Sequence, residues 1–318
     1  MFIDNTSGQY VLDPVAGHLH KADFKKDFKW KEHPRGHIVI KTNNLGFRND
    51  SDTREEKPNE LIRILVCGDS HTDGVVYNNE SFPAVLEQMF DLNNTGKFEV
   101  LNGGVGYYGP QNYLGFIQKF IYLQPDVIVL VLYLGNDFLD AIHIAVERGE
   151  LGKIQRQEEY YKKITQLDEI MMGFSGQCFN QAWYFKNFPQ SKKTSLEIIK
   201  QNMRKIRSLS EENNARLILV LLPSEIGSQF AADSTRILKA AKLMGMQRKE
   251  IMIENELADS LRNWLKEEKM PCIDLRKKIE KINRPLYWKK DLHLNVTGHQ
   301  MLASTLYHSK VFQNSILY

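Results

Sequence analysis

Four short segments of the chain carry side chains that can do nucleophilic and acid–base chemistry together. Gly68-Asp69-Ser70-His71 offers a hydroxyl, and residues 102–109 (NGGVGYYG) offer glycine-rich backbone N–H groups. Gly135-Asn136-Asp137 offers a side-chain amide, and Asp291-Leu292-His293 sets a carboxylate two residues before an imidazole. A serine hydroxyl is a weak nucleophile until a base takes its proton. His293 is the candidate base for Ser70, and Asp291 can orient the imidazole and stabilise its protonated form. A tetrahedral oxyanion needs preorganised donors, worth roughly 3–4 kcal/mol each. Asn136 can supply one from its amide, and the loop near Gly106 another from its backbone.

These segments must be brought together by the elements that precede them. Residues 62–67 (IRILVC), 98–101, 127–132 (VIVLVL) and 216–222 (RLILVLL) are short runs rich in β-branched and aliphatic residues. They read as strands of a parallel sheet buried on both faces. Residue 273 begins a short last strand. Helical periodicity follows Ser81, where a capping serine and Pro83 open the pattern. It returns over 111–123, 195–213, about 234–269, and 296–307. Alternating strand and helix predicts an α/β domain with helices on both sheet faces. In such sheets ligands bind beyond the carboxyl ends of the strands. Three of the four segments follow strands, and the fourth precedes the terminal helix. Residues 1–60 read as a polar N-terminal extension with one short strand at 37–41. The domain proper is 61–318, with a lid-like insertion at about 138–193 that breaks the alternation.

Composition narrows the class. The 318 residues are 42% hydrophobic and 25% charged, as expected of a globular protein with a sizeable core. Net charge is +3 and the basic pairs are interleaved with acids, so no nucleic-acid footprint is expected. Three cysteines at 67, 178 and 272 form no CxxC pair; Cys67 and Cys272 read as core thiols, and a reducing compartment is expected. The first ten residues lack a basic stretch followed by an apolar one. The longest apolar run, 127–134, falls far short of the roughly 20 residues that span a bilayer. A cytoplasmic protein without a membrane span is the expectation.

The four segments, in this order, resemble the four blocks of the SGNH (GDSL-like) hydrolases, over about 61–310. Residues 42–48 (TNNLGFR) look like the lead-in of some members. The resemblance implies a three-layer α/β/α sandwich with a parallel, flavodoxin-like sheet. It implies a serine esterase or acylhydrolase acting on a small acyl ester, an O-acetylated carbohydrate among the candidates, without metal or cofactor. Ser70 would be nucleophile, His293 base and Asp291 its partner. The Ser70 backbone N–H and Asn136 would be oxyanion donors. Counting from Asn102, the family's oxyanion glycine falls on Tyr107, with Gly106 one residue earlier, so either backbone N–H is a candidate. The acid–base pair is spaced Asp-x-His, and His71 replaces the usual apolar residue after the nucleophile.

Other readings of the same residues set the alternatives. An O-acyltransferase would share the serine, with a sugar or alcohol hydroxyl replacing water. A binding module could keep the fold without turnover. Asp69-x-His71 mimics part of a dinuclear-metal phosphoesterase motif, but the histidine expected after Asp137 is missing. His18, His20, His33 and His37 read as ordinary surface histidines rather than metal ligands. His299 reads as structural, Asp69 as a tie for loop amides, and the aromatic residues at 174–188 as the core of the insertion, one face of which could line an acyl pocket. Glu225 is placed after a strand end from which it could reach the site. Oligomeric state is left open by the sequence.

Overall fold

The computed structural model describes residues 7–92, 96–153, 162–167, 177–227 and 235–316. Five parallel strands form the central sheet: β5 (Ile62–Gly68), β6 (Phe98–Gly104), β7 (Val127–Tyr133), β8 (Arg216–Leu222) and β9 (Cys272–Asp274). Their spatial order is β6-β5-β7-β8-β9. Counted from β5 this is 2-1-3-4-5, the flavodoxin-like order, whose crevice opens where the first and third strands part. Every residue of β7 is buried, as are all but the first residues of β5 and β8. A strand covered on both faces has no need of alternation, which is why these runs are almost uniformly apolar.

Helices cover both faces. On one side α3 (Pro110–Phe120), α4 (Asp137–Glu147) and α6 (Ser191–Glu212) pack on one another. On the other, α2 (Phe82–Asp91) packs against α9 (Val296–Tyr307). The result is an α/β/α sandwich. A short α1 (Ser70–Asp73) caps β5, α5 (Gln177–Asn187) lies between α4 and α6, and α7 (Thr235–Leu243) and α8 (Ile253–Glu267) lead to β9. The helical pattern expected over 234–269 is therefore broken. Its break is at Gly245, with φ +63°, where the chain reverses out of α7.

The N-terminal region holds more structure than the single strand expected. β1 (Tyr10–Asp13) pairs with β2 (Gly17–His20), and β3 (Lys25–Lys29) with β4 (His37–Lys41), both antiparallel. Residues 42–48 then tie this region to the sheet. Asn43 Oδ1 accepts from the N–H groups of Leu45 and Phe47, making a side-chain-closed turn. Phe47 packs edge-on against Phe116 and at a tilt against Phe120. The Arg48 N–H donates to Asn102 O, and Asn49 bonds Val100 O and Asn102 N–H. These bonds cover the otherwise open edge of β6, where unpaired ladder groups would be costly or sticky.

In the 138–193 stretch, α4 and α5 pack into the core, whereas residues 148–153 and 162–166 are exposed or half-buried. α4 continues the crossover from β7, and Phe179, Trp183, Tyr184 and Phe185 of α5 are buried. Phe174 lies outside the described residues. Among the described residues no helix is long and apolar enough to cross a membrane.

The first hairpin sits so close to α3 that only glycine fits between them. A Cβ on Gly115 would lie 2.2 Å from Val15 O and 2.8 Å from Ala16 Cα, both backbone atoms that cannot swing aside. Gly115→Ala is expected to cost about 1–3 kcal/mol by overpacking. Urea unfolding should show a lower midpoint at unchanged m; an unchanged midpoint would mean that the hairpin is not seated there.

Candidate active site

Ser70 stands at the carboxyl end of β5, beside the crevice. The strand ends at Gly68, and Asp69 turns the chain by accepting the His71 N–H at 2.9 Å as the N-cap of α1. This is the amide tie expected of Asp69. The turn lies tightly over the neighbouring strand: a Cβ on Gly104 would come within 2.0 Å of Asp73 N. Glycine at that point lets α1 settle, which aims Ser70 outward while His71, Thr72 and Asp73 are buried.

The Asp291 and His293 side chains come from the loop before α9. The loop is closed by Leu292 N–H to Trp288 O at 3.0 Å and Trp288 N–H to His293 O at 2.8 Å. Leu292 adopts φ +66°, a conformation costing about 1–3 kcal/mol for a non-glycine residue. The closure presents the carboxylate and imidazole to each other. His293 Nδ1 is 2.7 Å from Asp291 Oδ1, and His293 Nε2 is 2.8 Å from Ser70 Oγ. An ionised carboxylate can only accept, so Nδ1 carries the proton and Nε2 is the acceptor facing the hydroxyl.

Burial alone would lower the basicity of His293. The charge of Asp291 and its hydrogen bond, with help from Asp69 and Asp73, outweigh that and hold its pKa above 6.5. His71 lies beneath, stacked on Tyr133 at 3.7 Å and 4.6 Å from the His293 ring. Burial, and next the neighbouring His293, push the His71 pKa well below 6.5, so it is a neutral packing group at this floor. Asp69 is pushed up to about 7, chiefly by burial.

The two remaining segments reach the same crevice differently. Gly106 and Tyr107 line a cavity together with Ser70 and His293. Tyr107 has φ +65°, so a tyrosine occupies backbone space that suits glycine. His18 Nε2 lies 2.8 Å from Gly106 O; a carbonyl can only accept, so His18 donates. In a planar trans peptide the N–H points opposite to the carbonyl. Holding Gly106 O from the hairpin side therefore turns the Tyr107 N–H away from His18. Asn136 is buried at the start of α4, and its Nδ2 donates to Gln177 Oε1 at 3.4 Å. Gln177 lines the cavity, whereas Asn136 is connected to it through that bond.

The bracing roles of Glu32 and Arg48 are not read from the sequence, although Arg48 ends the 42–48 segment noted there. The Glu32 carboxylate accepts the N–H groups of Lys290 and Asp291 at 2.8 and 3.0 Å, bracing the loop that holds His293. Arg48 is fully buried and donates to Asp73 Oδ1 at 2.6 Å, to Asn78 Oδ1, and to Gly74 O and Val76 O. His20 Nε2 lies 3.1 Å from the other Asp73 oxygen. Burial raises the Asp73 pKa, but His20 and Arg48 outweigh it and hold the carboxylate below 3.8.

The expected surface histidines must accordingly be corrected. His18, His20 and His33 are buried, because each has a polar partner in the core: Gly106 O, Asp73 and Glu80 respectively. His37 is half-buried, between Asp27 and Tyr77. His299 is structural as read, its Nδ1 accepting the Phe82 N–H to join α9 to α2. Glu225 lines a separate cavity with residues 279–287 instead of this one. Among the described residues no three or more His, Cys, Asp or Glu side chains are grouped to hold a metal.

No family model matches the sequence, and a search of curated proteins finds no match either. Solved structures are similar to it. One is a member of the lipolytic protein G-D-S-L family from Veillonella parvula, at 13% identity, covering 79% of this chain and 98% of that one, with a TM-score of 0.44. A catalytic mutant of an acetylxylan esterase from Geobacillus stearothermophilus is 12% identical, with 83% and 97% coverage and a TM-score of 0.46. A lipase from a goat rumen metagenome is also 12% identical, with 79% and 100% coverage and a TM-score of 0.46.

The imidazole's environment makes a direct prediction. Followed by NMR, His293 should titrate above 6.5, and Asp291→Asn should move that midpoint to lower pH by removing the opposing charge. A midpoint unmoved by the substitution would show that Asp291 does not set the basicity of His293.

Proposed function

We propose that the protein is a serine esterase, or acylhydrolase, that cleaves a small acyl ester through an acyl-enzyme. The observation that carries this reading is the continuous hydrogen-bonded chain Asp291–His293–Ser70, with links of 2.7 and 2.8 Å, at the edge of a cavity. A hydroxyl, an unprotonated imidazole and an acceptor-only carboxylate in that order make a general-base-activated nucleophile.

In the proposed reaction Ser70 Oγ attacks the ester carbonyl carbon while His293 Nε2 takes the hydroxyl proton. The carbonyl π electrons move onto oxygen, forming the oxyanion. On collapse the bond to the leaving oxygen breaks, and His293 returns its proton to that oxygen, releasing the alcohol and leaving Ser70 acylated. Water then attacks the acyl carbon with His293 again as base, and the carboxylic acid leaves as Ser70 regains its proton. Asp291 remains ionised throughout and stabilises the imidazolium in both steps.

The oxyanion donors in this proposal are the Ser70 and Tyr107 backbone N–H groups and the Asn136 amide. Tyr107 is chosen over Gly106 because the His18 bond to Gly106 O fixes the plane of the peptide that contains the Tyr107 N–H. The left-handed backbone at Tyr107 is then strain held in place by that bond and by the hairpin.

Ser70→Ala is expected to lower kcat on an activated ester by about 10³–10⁶-fold with the fold intact by circular dichroism. Near-wild-type turnover by this variant would refute the nucleophile. Asn136→Ala should lower kcat by roughly 10²–10³-fold with little change in KM; an effect confined to KM would remove it from the oxyanion site. Tyr107→Gly keeps the backbone donor and suits φ +65°, so kcat should stay within about tenfold of wild type. A loss as deep as that of Asn136→Ala would mean that the tyrosine side chain, not its N–H, matters.

A further inference from the structure

The cavity in front of Ser70 is walled in part by the N-terminal region, not by the α/β core alone. Its apolar lining includes Tyr10 of β1, Phe28 of β3, Trp30 beyond it, and Ile38 and Ile40 of β4. Ile38 and Ile40 are two apart on a strand, so they share one face. The cavity holds about 180 Å³. An apolar cavity of about 150 Å³ accepts a benzene ring, so this one takes a group of roughly six to eight non-hydrogen atoms.

Its two carboxylates are already paired. Asp73 is engaged by Arg48 and His20, and Asp291 by His293 and the loop. Gln9 Nε2 bonds Tyr10 and His20, and Gln177 Oε1 accepts from Asn136. No lysine or arginine is among the described residues that line the space. An anionic substituent would face two carboxylates without a cation. A sugar ring would bury several hydroxyls with few groups left to bond them. Trp30 Nε1 is buried with no hydrogen-bond partner among the described residues, and it leaves one donor for an acceptor.

We propose that this cavity is a subsite for one uncharged, apolar group of the ester, the size of a medium alkyl chain or a single aromatic ring, and that the N-terminal extension sets that preference. The inference rests on Ser70 being the nucleophile. It makes the substrate an ester of an apolar acid or alcohol, in place of an acetylated sugar. The group sits on the acyl or on the alcohol side of the scissile bond, and two substrate series separate these.

The test uses the full chain. One arm measures kcat/KM for p-nitrophenyl esters of acetate, butyrate, hexanoate, decanoate and succinate. The other measures acetates of methanol, butanol and benzyl alcohol by proton release. In one arm kcat/KM should rise about fourfold per buried methylene, on the order of 10²-fold from two to six carbons. It should then fall for the decanoyl ester, and the succinyl ester should be poor. Ile38→Trp, which fills the space, should cut the preference for the larger group over the smaller by at least about tenfold. Should that variant fail to fold, Ile40→Phe serves the same purpose. A serine-reactive phosphonate, mapped by peptide mass, is applied to each protein. If Ser70 labels but both arms are flat or fall with size, or if filling the cavity leaves the preference unchanged, the subsite is refuted while the nucleophile stands. If Ser70 does not label and no ester is turned over, the nucleophile itself is refuted.

Discussion

A hydrogen bond of 2.8 Å joins Ser70 to His293 across 223 positions of sequence, and the rest of the structure is arranged so that it can form. Neither partner lies in a long element that could fix it by itself. Ser70 begins a four-residue helix, and His293 closes a loop whose middle residue is left-handed. Such a contact tolerates displacements of only a few tenths of an ångström before it ceases to be a hydrogen bond. Its precision must come from what holds the two ends.

Those holds converge from different parts of the chain. The parallel sheet brings the β5 turn to the crevice, and the Trp288 indole donates to Val75 O, tying the His293 loop to the segment after α1. Glu32 grips the same loop from the other side through two backbone N–H groups. Arg48 grips the segment after Ser70 through Asp73, Asn78 and two carbonyls. Because Arg48 is fully buried, its charge persists there only because Asp73 and those oxygens offset the loss of water. The N-terminal region thus serves the site three ways: it braces both halves of the Ser70–His293 contact, it orients the Gly106–Tyr107 peptide through His18, and it forms part of the cavity wall.

The sheet was readable because a strand buried on both faces leaves an unmistakable apolar run. Residues 127–132 and 216–222 match their observed strands to within a residue. The four chemistry-bearing segments were readable because turns at strand ends have strong residue preferences and because their order resembles a known family. What failed had weaker signals. Short hairpins such as β1–β2 lack the length for a period to register. The burial of His18, His20 and His33 follows from single distant partners, which no local pattern encodes. The partners of Glu32 and Arg48 are likewise distant in sequence, so their bracing roles left no local pattern either. Gly245 was a visible break in the helical tract over 234–269, but glycine inside a helical pattern is a weak stop signal until its φ is known.

The central claim is that one hydroxyl of this chain becomes covalently acylated and is then released by water. Rapid mixing with an excess of a slowly deacylating activated ester, an acid quench, and peptide mass mapping address it directly. The account predicts one acyl group per chain, located on Ser70, disappearing at the rate of steady-state turnover. Product formation with no acyl group on any serine, or an acyl group at another residue that turns over at that rate, would contradict it.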